Sequence, residues 1–238
     1  MEWREKAIVL GARRHGETSA IVEVLTRDHG RHAGLVRSGR SKRMRPVLQQ
    51  GNIVEVVWRA RLEEHLGNFT IEPVSMNAAL VMDEPIRLAG LTTLTALCSL
   101  LPEREPHADI FDATSLILAN IENDEVWPAL LVRWEAGLLD CLGFGIDLSQ
   151  CAATGQKTDL IYVSPKSGRA VSASAGEPYK AKLLALPDFL IGSGHADASD
   201  LINGFALTGY FLHRHLSAPR GIELPDSRER LIAYIKSR

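Results

Sequence analysis

Residues 31–45 read RHAGLVRSGRSKRMR. The stretch holds Arg31, Arg37, Arg40, Lys42, Arg43 and Arg45 and no acidic residue. Its first half, His32 to Val36, reads as a short strand. Its second half, Ser38 to Arg45, is too polar and too rich in Gly and Ser for a core element, and reads as an exposed loop. Cations this close together repel unless water or an anion lies beside them. A rigid strand delivering a flexible basic loop suits a phosphate backbone. Short basic runs are also common as plain solvated surface, so the surrounding sequence has to decide.

Upstream, Lys6 to Leu10 reads as a first strand, ended by a polar turn at Arg13–Glu17. Ala20 to Thr26 is a second, rich in β-branched residues. Asp28-His29-Gly30 is a turn signal before the third strand, Arg31 to Arg37. Downstream, Pro46 to Gln50 suits one helical turn, Gly51 to Arg61 a fourth strand and Leu66 to Val74 a fifth. Five short strands with a wide gap between the third and fourth fit a Greek-key barrel of the OB type over residues 1–78. An SH3-like barrel is the competitor that periodicity cannot separate. In an OB-fold the turns carrying Arg13 and Arg14, and Arg59 and Arg61, flank the binding face. The expected DNA contacts are therefore Arg13, Arg14, Arg37, Arg40, Lys42, Arg43, Arg45, Arg59 and Arg61. Residues 1–75 offer only Trp3, Trp58 and Phe69 as aromatic rings. Single-strand binders that stack bases use several rings. Trp58 and Phe69 are read as packed, so the grip is expected to be electrostatic and blind to base identity.

Composition limits the alternatives. The 238-residue chain is 45% hydrophobic and 24% charged, with a net charge of −2, as in ordinary globular proteins. The charge is uneven: residues 1–75 carry 13 Lys and Arg against 9 Asp and Glu, and the remainder 14 against 20. Such asymmetry indicates two modules with different partners. Three cysteines, Cys98, Cys141 and Cys151, make no disulfide framework and fit a reducing compartment. The start of the chain does not read as a signal peptide, and no apolar run approaches a membrane span. A cytoplasmic protein without membrane contact is expected.

After residue 78 the apolar period becomes helical. Asp83-Glu84-Pro85 opens a helix through Leu101, stopped by Pro102. Asp109 to Ile121 and Trp127 to Leu142 follow, the latter ended by Gly143 and Gly145. Residues 147–176 are irregular around a hairpin, Leu160–Val163 and Arg169–Val171. Helices are expected again at Lys180–Phe189, Ala198–Leu216 and Ser227–Lys236. The predicted architecture is thus α+β: an N-terminal five-stranded OB barrel at 1–78 and a helical domain at 79–238.

Four segments in this order and spacing, AIVLGARRHGET (7–18), GLVRSGRSKRMRPVLQQGNIVEV (34–56), LLDCLGFGIDLSQC (138–151) and YVSPKSGRAVS (162–172), make the chain resemble the RecO family of bacterial recombination mediators over essentially its whole length. The resemblance implies an OB-fold joined to a helical domain with a zinc-finger-like insert at about 147–176. It also implies binding of single- and double-stranded DNA, annealing of complementary strands, and recombinase loading with RecR on DNA coated by the single-stranded-DNA-binding protein SSB. Location would be cytoplasmic, at the nucleoid during repair.

The insert departs from the family pattern. Zinc-binding relatives carry C-x-x-C twice. Here the four positions are Cys151, Thr154, Ser172 and Ala175, leaving one thiolate where tetrahedral Zn²⁺ wants four S or N ligands. No zinc and no other cofactor is expected. His213 and His215 at i and i+2 point to different helix faces, and no nucleotide or metalloprotease motif appears, so the chain is read as a non-enzyme. RecO-like proteins are expected to capture the acidic, apolar C-terminal tail of SSB on the helical domain, and Arg133 beside Trp134 is the expected cation and aromatic wall. The competing reading of Arg133 is a salt bridge to another helix. An alternative for the whole protein is an adaptor whose basic loop meets an acidic partner instead of DNA.

Overall fold

The computed structural model describes residues 1–192 and 195–237. The chain divides into two compact units, Met1–Glu122 and Asn123–Arg238.

The first unit is built on a closed barrel of β1 (Glu2–His15), β2 (Ser19–Thr26), β3 (Arg31–Val36), β4 (Ile53–Arg59) and β5 (Asn68–Ser75), in the order β1-β2-β3-β5-β4. The parallel closure of β3 on β5, at Leu35 opposite Asn68, gives OB topology and excludes the SH3-like arrangement. Val22, Val24, Val54, Val56, Trp58 and Phe69 fill the interior. Burying a Val or Phe side chain in this way contributes roughly 1.5–3 kcal/mol. The one-turn helix α1 (Met44–Val47) plugs the barrel with Val47 and Leu48. It lies two residues earlier than its sequence signal.

The first strand is far longer than expected, and Arg13 and Arg14 lie in it rather than in a turn. Residues 2–8 pair with β4 and residues 7–15 with β2, with a bulge between Val9 and Gly11. Ala7 and Val9 face the barrel core, yet Ile8 and Leu10 are buried as well. The reason is that α3 (Pro85–Cys98) packs on β1, while α4 (Ala108–Ala119) packs on β2. Apolar residues on both faces hide the alternation by which strands are recognised. The short helix α2 (Asn77–Val81) links barrel to helices, so the compact unit runs past the barrel's end at Ser75 to Glu122.

The second unit holds α5 (Trp127–Cys141), a sheet ordered β7-β6-β8 from β6 (Leu160–Val163), β7 (Ala170–Ser172) and β8 (Leu184–Ala185), and short α6 (Ala173–Gly176). Next come α7 (Ala198–Leu212), a π-helical turn at His213–Ser217, α8 (Ala218–Arg220) and α9 (Asp226–Lys236). α7 starts with a capping box between Asp197 and Asp200. The helix expected at Lys180–Phe189 does not form. Glu177–Lys182 and Asp188–Leu190 are 3₁₀ turns, and Leu184–Ala185 joins the hairpin as its third strand. Pro178 and Pro187 bracket the segment, and each disfavours helix at the residue before it.

Candidate nucleic-acid interface

Two features tether the loop after β3. At its start, the Gly39 amide donates to Val36 O at 3.2 Å and the Arg40 amide to Thr18 O at 3.0 Å. Gly39 sits so close to β2 that an added Cβ would lie 2.9 Å from the Ala20 Cβ. At its far end, α1 is held by buried Asn52, whose amide donates to Pro46 O at 2.8 Å and Val47 O at 3.1 Å. The basic loop is thus a ridge fixed at both ends.

A cleft runs along each side of the ridge. One, of about 380 Å³, is lined by Arg13 and Arg14 of β1 and by Arg40, Arg45, Gln49 and Gln50. The other, of about 610 Å³, is lined by Arg37, Arg43, Arg59, Asn68 and Thr70, with Ser38 and Ser41 at the ridge. Every charged residue lining either cleft is a cation. This is not general to the barrel, because a third cleft, around Trp3, His29 and His32, carries Glu2, Asp28 and Glu63. Like charges lining a concave surface focus a positive potential on whatever enters.

The expected contact residues sort by what they already touch. Arg13, Arg14, Arg37, Lys42, Arg43, Arg45 and Arg61 are exposed and their side chains take part in no ion pair among the described residues. Arg40 directs Nη1 to the carbonyls of Gly16 (3.1 Å) and Glu17 (2.5 Å), which orients its guanidinium and leaves its charge unopposed. Arg59 pairs with Glu2 at 2.7 Å; its hydrogen bond holds the Glu2 carboxyl below the usual range. Lys42 and Arg61 line neither cleft. Arg31, the first cation of the run, faces elsewhere: it donates to Leu101 O at 2.7 Å and pairs with Glu23. The sequence reading did not single out Gln49, Gln50, Asn68 and Thr70. Neutral polar residues in turns and on exposed strand faces carry no signal of their own.

Among the described residues, no exposed aromatic ring lines either cleft. Trp58 is 1% exposed, donates Nε1–H to Leu66 O at 3.0 Å, packs with Trp3 and His32, and lies opposite Phe69 in the sheet. Phe69 borders the second cleft but is 4% exposed.

Residues 1–77 match the family description "Recombination protein O N terminal", and residues 82–221 match "Recombination protein O C terminal". The chain belongs to the RecO family. It is 57% identical over 231 residues to the DNA repair protein RecO of Rhizobium etli, spanning 96% of this chain and 90% of that one. It is 53% identical over 238 residues to RecO of Mesorhizobium japonicum (99% and 94%), and 52% identical over 239 residues to RecO of Methylobacterium nodulans (98% and 97%). Membership makes it a DNA repair and recombination protein. No helix among the described residues is long and apolar enough to cross a membrane.

The segment 147–176, expected as a zinc-finger-like insert, contains the hairpin of β6 and β7. Cys151 is buried, and its Sγ accepts hydrogen bonds from the Ser172 amide (3.3 Å) and hydroxyl (3.4 Å). The Ser172 hydroxyl thus stands beside the Cys151 thiol and donates to it. Among the described residues no three His, Cys, Asp or Glu side chains are grouped to hold a metal. The donor set does not fit tetrahedral zinc.

Arg133 and Trp134 do not form the expected pair. Trp134 is 3% exposed, so its ring belongs to the core rather than to a groove wall. Among the described residues Arg133 meets no acid from another helix. Its Nε donates to Phe189 O at 2.9 Å and its Nη2 to Gly192 O, tying the 3₁₀ turn at 188–190 to α5. The acid two residues on, Glu135, is fully buried and paired with Arg228.

Proposed function

We propose that the chain grips DNA, single- and double-stranded, through the backbone at the ridge 37–45. It leaves base edges free for complementary strands to anneal, and acts as a mediator rather than a catalyst. The observation that carries this reading is the pair of clefts whose charged lining is wholly cationic. Fixed cations neutralise phosphates and release counterions, which yields sequence-independent affinity. Buried Trp58 and Phe69 leave little base stacking to add. Binding of fluorescent single-stranded and duplex oligonucleotides at two salt concentrations tests it. Affinity for both should fall steeply with salt. An adaptor for an acidic protein would show neither affinity.

Within the same reading, the protein works in the cytoplasm at the nucleoid, loading recombinase with RecR on SSB-coated DNA. The acidic tail of SSB would meet the helical unit at Arg133, whose cation is opposed by no carboxylate among the described residues even though its ring neighbour is buried. Fluorescence polarisation with an acidic tail peptide checks this. Arg133→Ala should weaken binding by roughly 1.5–3 kcal/mol, the range for a hydrogen bond to a charged group. Unchanged affinity would move the tail site elsewhere.

A further inference from the structure

We infer that the ridge 37–45 is a divider, and that the cleft on each side of it holds its own strand, so that one chain carries two nucleic-acid strands at once. This rests on the DNA-binding reading above and adds to it a second site and a stoichiometry.

Strand order places the clefts apart. β3, from which the ridge rises, lies between β2 and β5 in the closed sheet. The first cleft is built on the β1–β2 side, with Arg13, Arg14 and Ala20 in its wall. The second is built on the β5–β4 side, with Asn68, Thr70 and Arg59. The ridge supplies cations to both: Arg40 and Arg45 to the first, Arg37 and Arg43 to the second. Of the ridge cations only Lys42 lines neither, and it is exposed.

A single continuous groove would place its cations along one path. Here the ridge residues alternate between two paths, and the backbone at Gly39, pinned against Ala20, closes the wall of the first. Two polyanions side by side repel over about a Debye length, roughly 8–10 Å at physiological salt. A wall of guanidinium groups between them offsets that repulsion. Each cleft also offers neutral hydrogen-bond donors, Gln50 in one and Asn68 and Thr70 in the other, suited to phosphate and sugar oxygens. With no exposed ring to hold the bases, strands in neighbouring clefts keep their pairing edges free.

Native mass spectrometry with an oligothymidylate of roughly 8 nucleotides, within the span one OB-fold covers, tests the inference on the full chain. Saturated wild type should carry two oligonucleotides per chain. Arg13→Glu/Arg14→Glu and Arg37→Glu/Arg43→Glu, each checked for native circular dichroism, should carry one, and the fourfold variant none. One oligonucleotide on the wild type, or loss of all binding in either double variant, would overturn the two-cleft inference while leaving DNA binding intact. Absence of any binding by the wild type would instead remove the DNA-binding reading on which it stands.

Discussion

Arg228 and Glu135 form a bidentate ion pair inside the helical unit, Nε to Oε1 at 2.7 Å and Nη2 to Oε2 at 2.9 Å, with the carboxylate fully buried and the guanidinium nearly so. Thr208 donates to the same carboxylate, and Arg228 also donates to Phe205 O at 2.6 Å and lies over the Phe205 ring. The pair joins α9 to α5 and α7 across 93 residues of sequence. Removing one partner strands the other in a low-dielectric interior. Arg228→Met should therefore destabilise the protein by about 3–5 kcal/mol. Glu135→Leu combined with Arg228→Met should recover most of that loss in chemical denaturation. A single variant as stable as wild type would show that the carboxylate finds water.

Asn52 links the fold to the ridge. Besides its two bonds to α1, its Oδ1 accepts from the Ala78 amide at 2.9 Å. Asn52→Leu removes these bonds and strands the Val47 carbonyl and the Ala78 amide, each costing about 1–3 kcal/mol, so a loss of about 2 kcal/mol is expected. Because α1 anchors the ridge, DNA affinity should fall as well, with the salt slope unchanged since no charge is altered. A changed slope with unchanged stability would contradict the anchoring role.

His32, 4% exposed in the aromatic cluster of the barrel, is held below its ordinary value near 6.5, chiefly because burial disfavours the imidazolium. The unfolded chain takes up a proton as pH falls through 6.5, and the folded chain does not until lower pH. Stability from this group is therefore present above pH 6.5 and lost on acidification below it. Urea midpoints at about pH 7.5 and 5.5 should differ more in wild type than in His32→Phe. An equal difference in both proteins would rule His32 out as the cause.

The insert should need no metal. Purified protein is expected to contain no stoichiometric zinc, and chelation should leave its circular dichroism unchanged. Elemental analysis finding about one zinc per chain, lost together with structure on chelation, would overturn this. Ser172→Cys would add only a second thiolate and should not by itself create a tight site.

Much of this was legible in the sequence. β2 is rich in β-branched residues, the burial of β3 and β4 alternates along the strand, and the gap after the third strand is filled by a plug with its own apolar pair, Val47 and Leu48. β1 was not legible at its true length. Helices cover its outer face at Ile8 and Leu10, and its first residues are charged and paired with β4, Glu2 with Arg59 and Arg4 with Glu55. The strand at Leu184–Ala185 was hidden by helical spacing in KAKLLAL, which pairing with Tyr162 and Val163 overrides. The cations themselves were readable as a run. Their division between two clefts was not, because it depends on barrel closure bringing β5 beside β3. The burial of Trp134 and Glu135 was likewise set by packing of α5 against α7, which local spacing does not report.

The central claim, that the ridge is where DNA is held, is tested most directly by Arg40→Glu/Lys42→Glu/Arg43→Glu in a salt titration against single-stranded DNA. If about five phosphates are neutralised, wild type should show a slope of log K against log salt of roughly −3 to −4. The variant should lose measurable binding while keeping native circular dichroism, since all three side chains are exposed. A folded variant that binds DNA with wild-type affinity and slope would contradict the account.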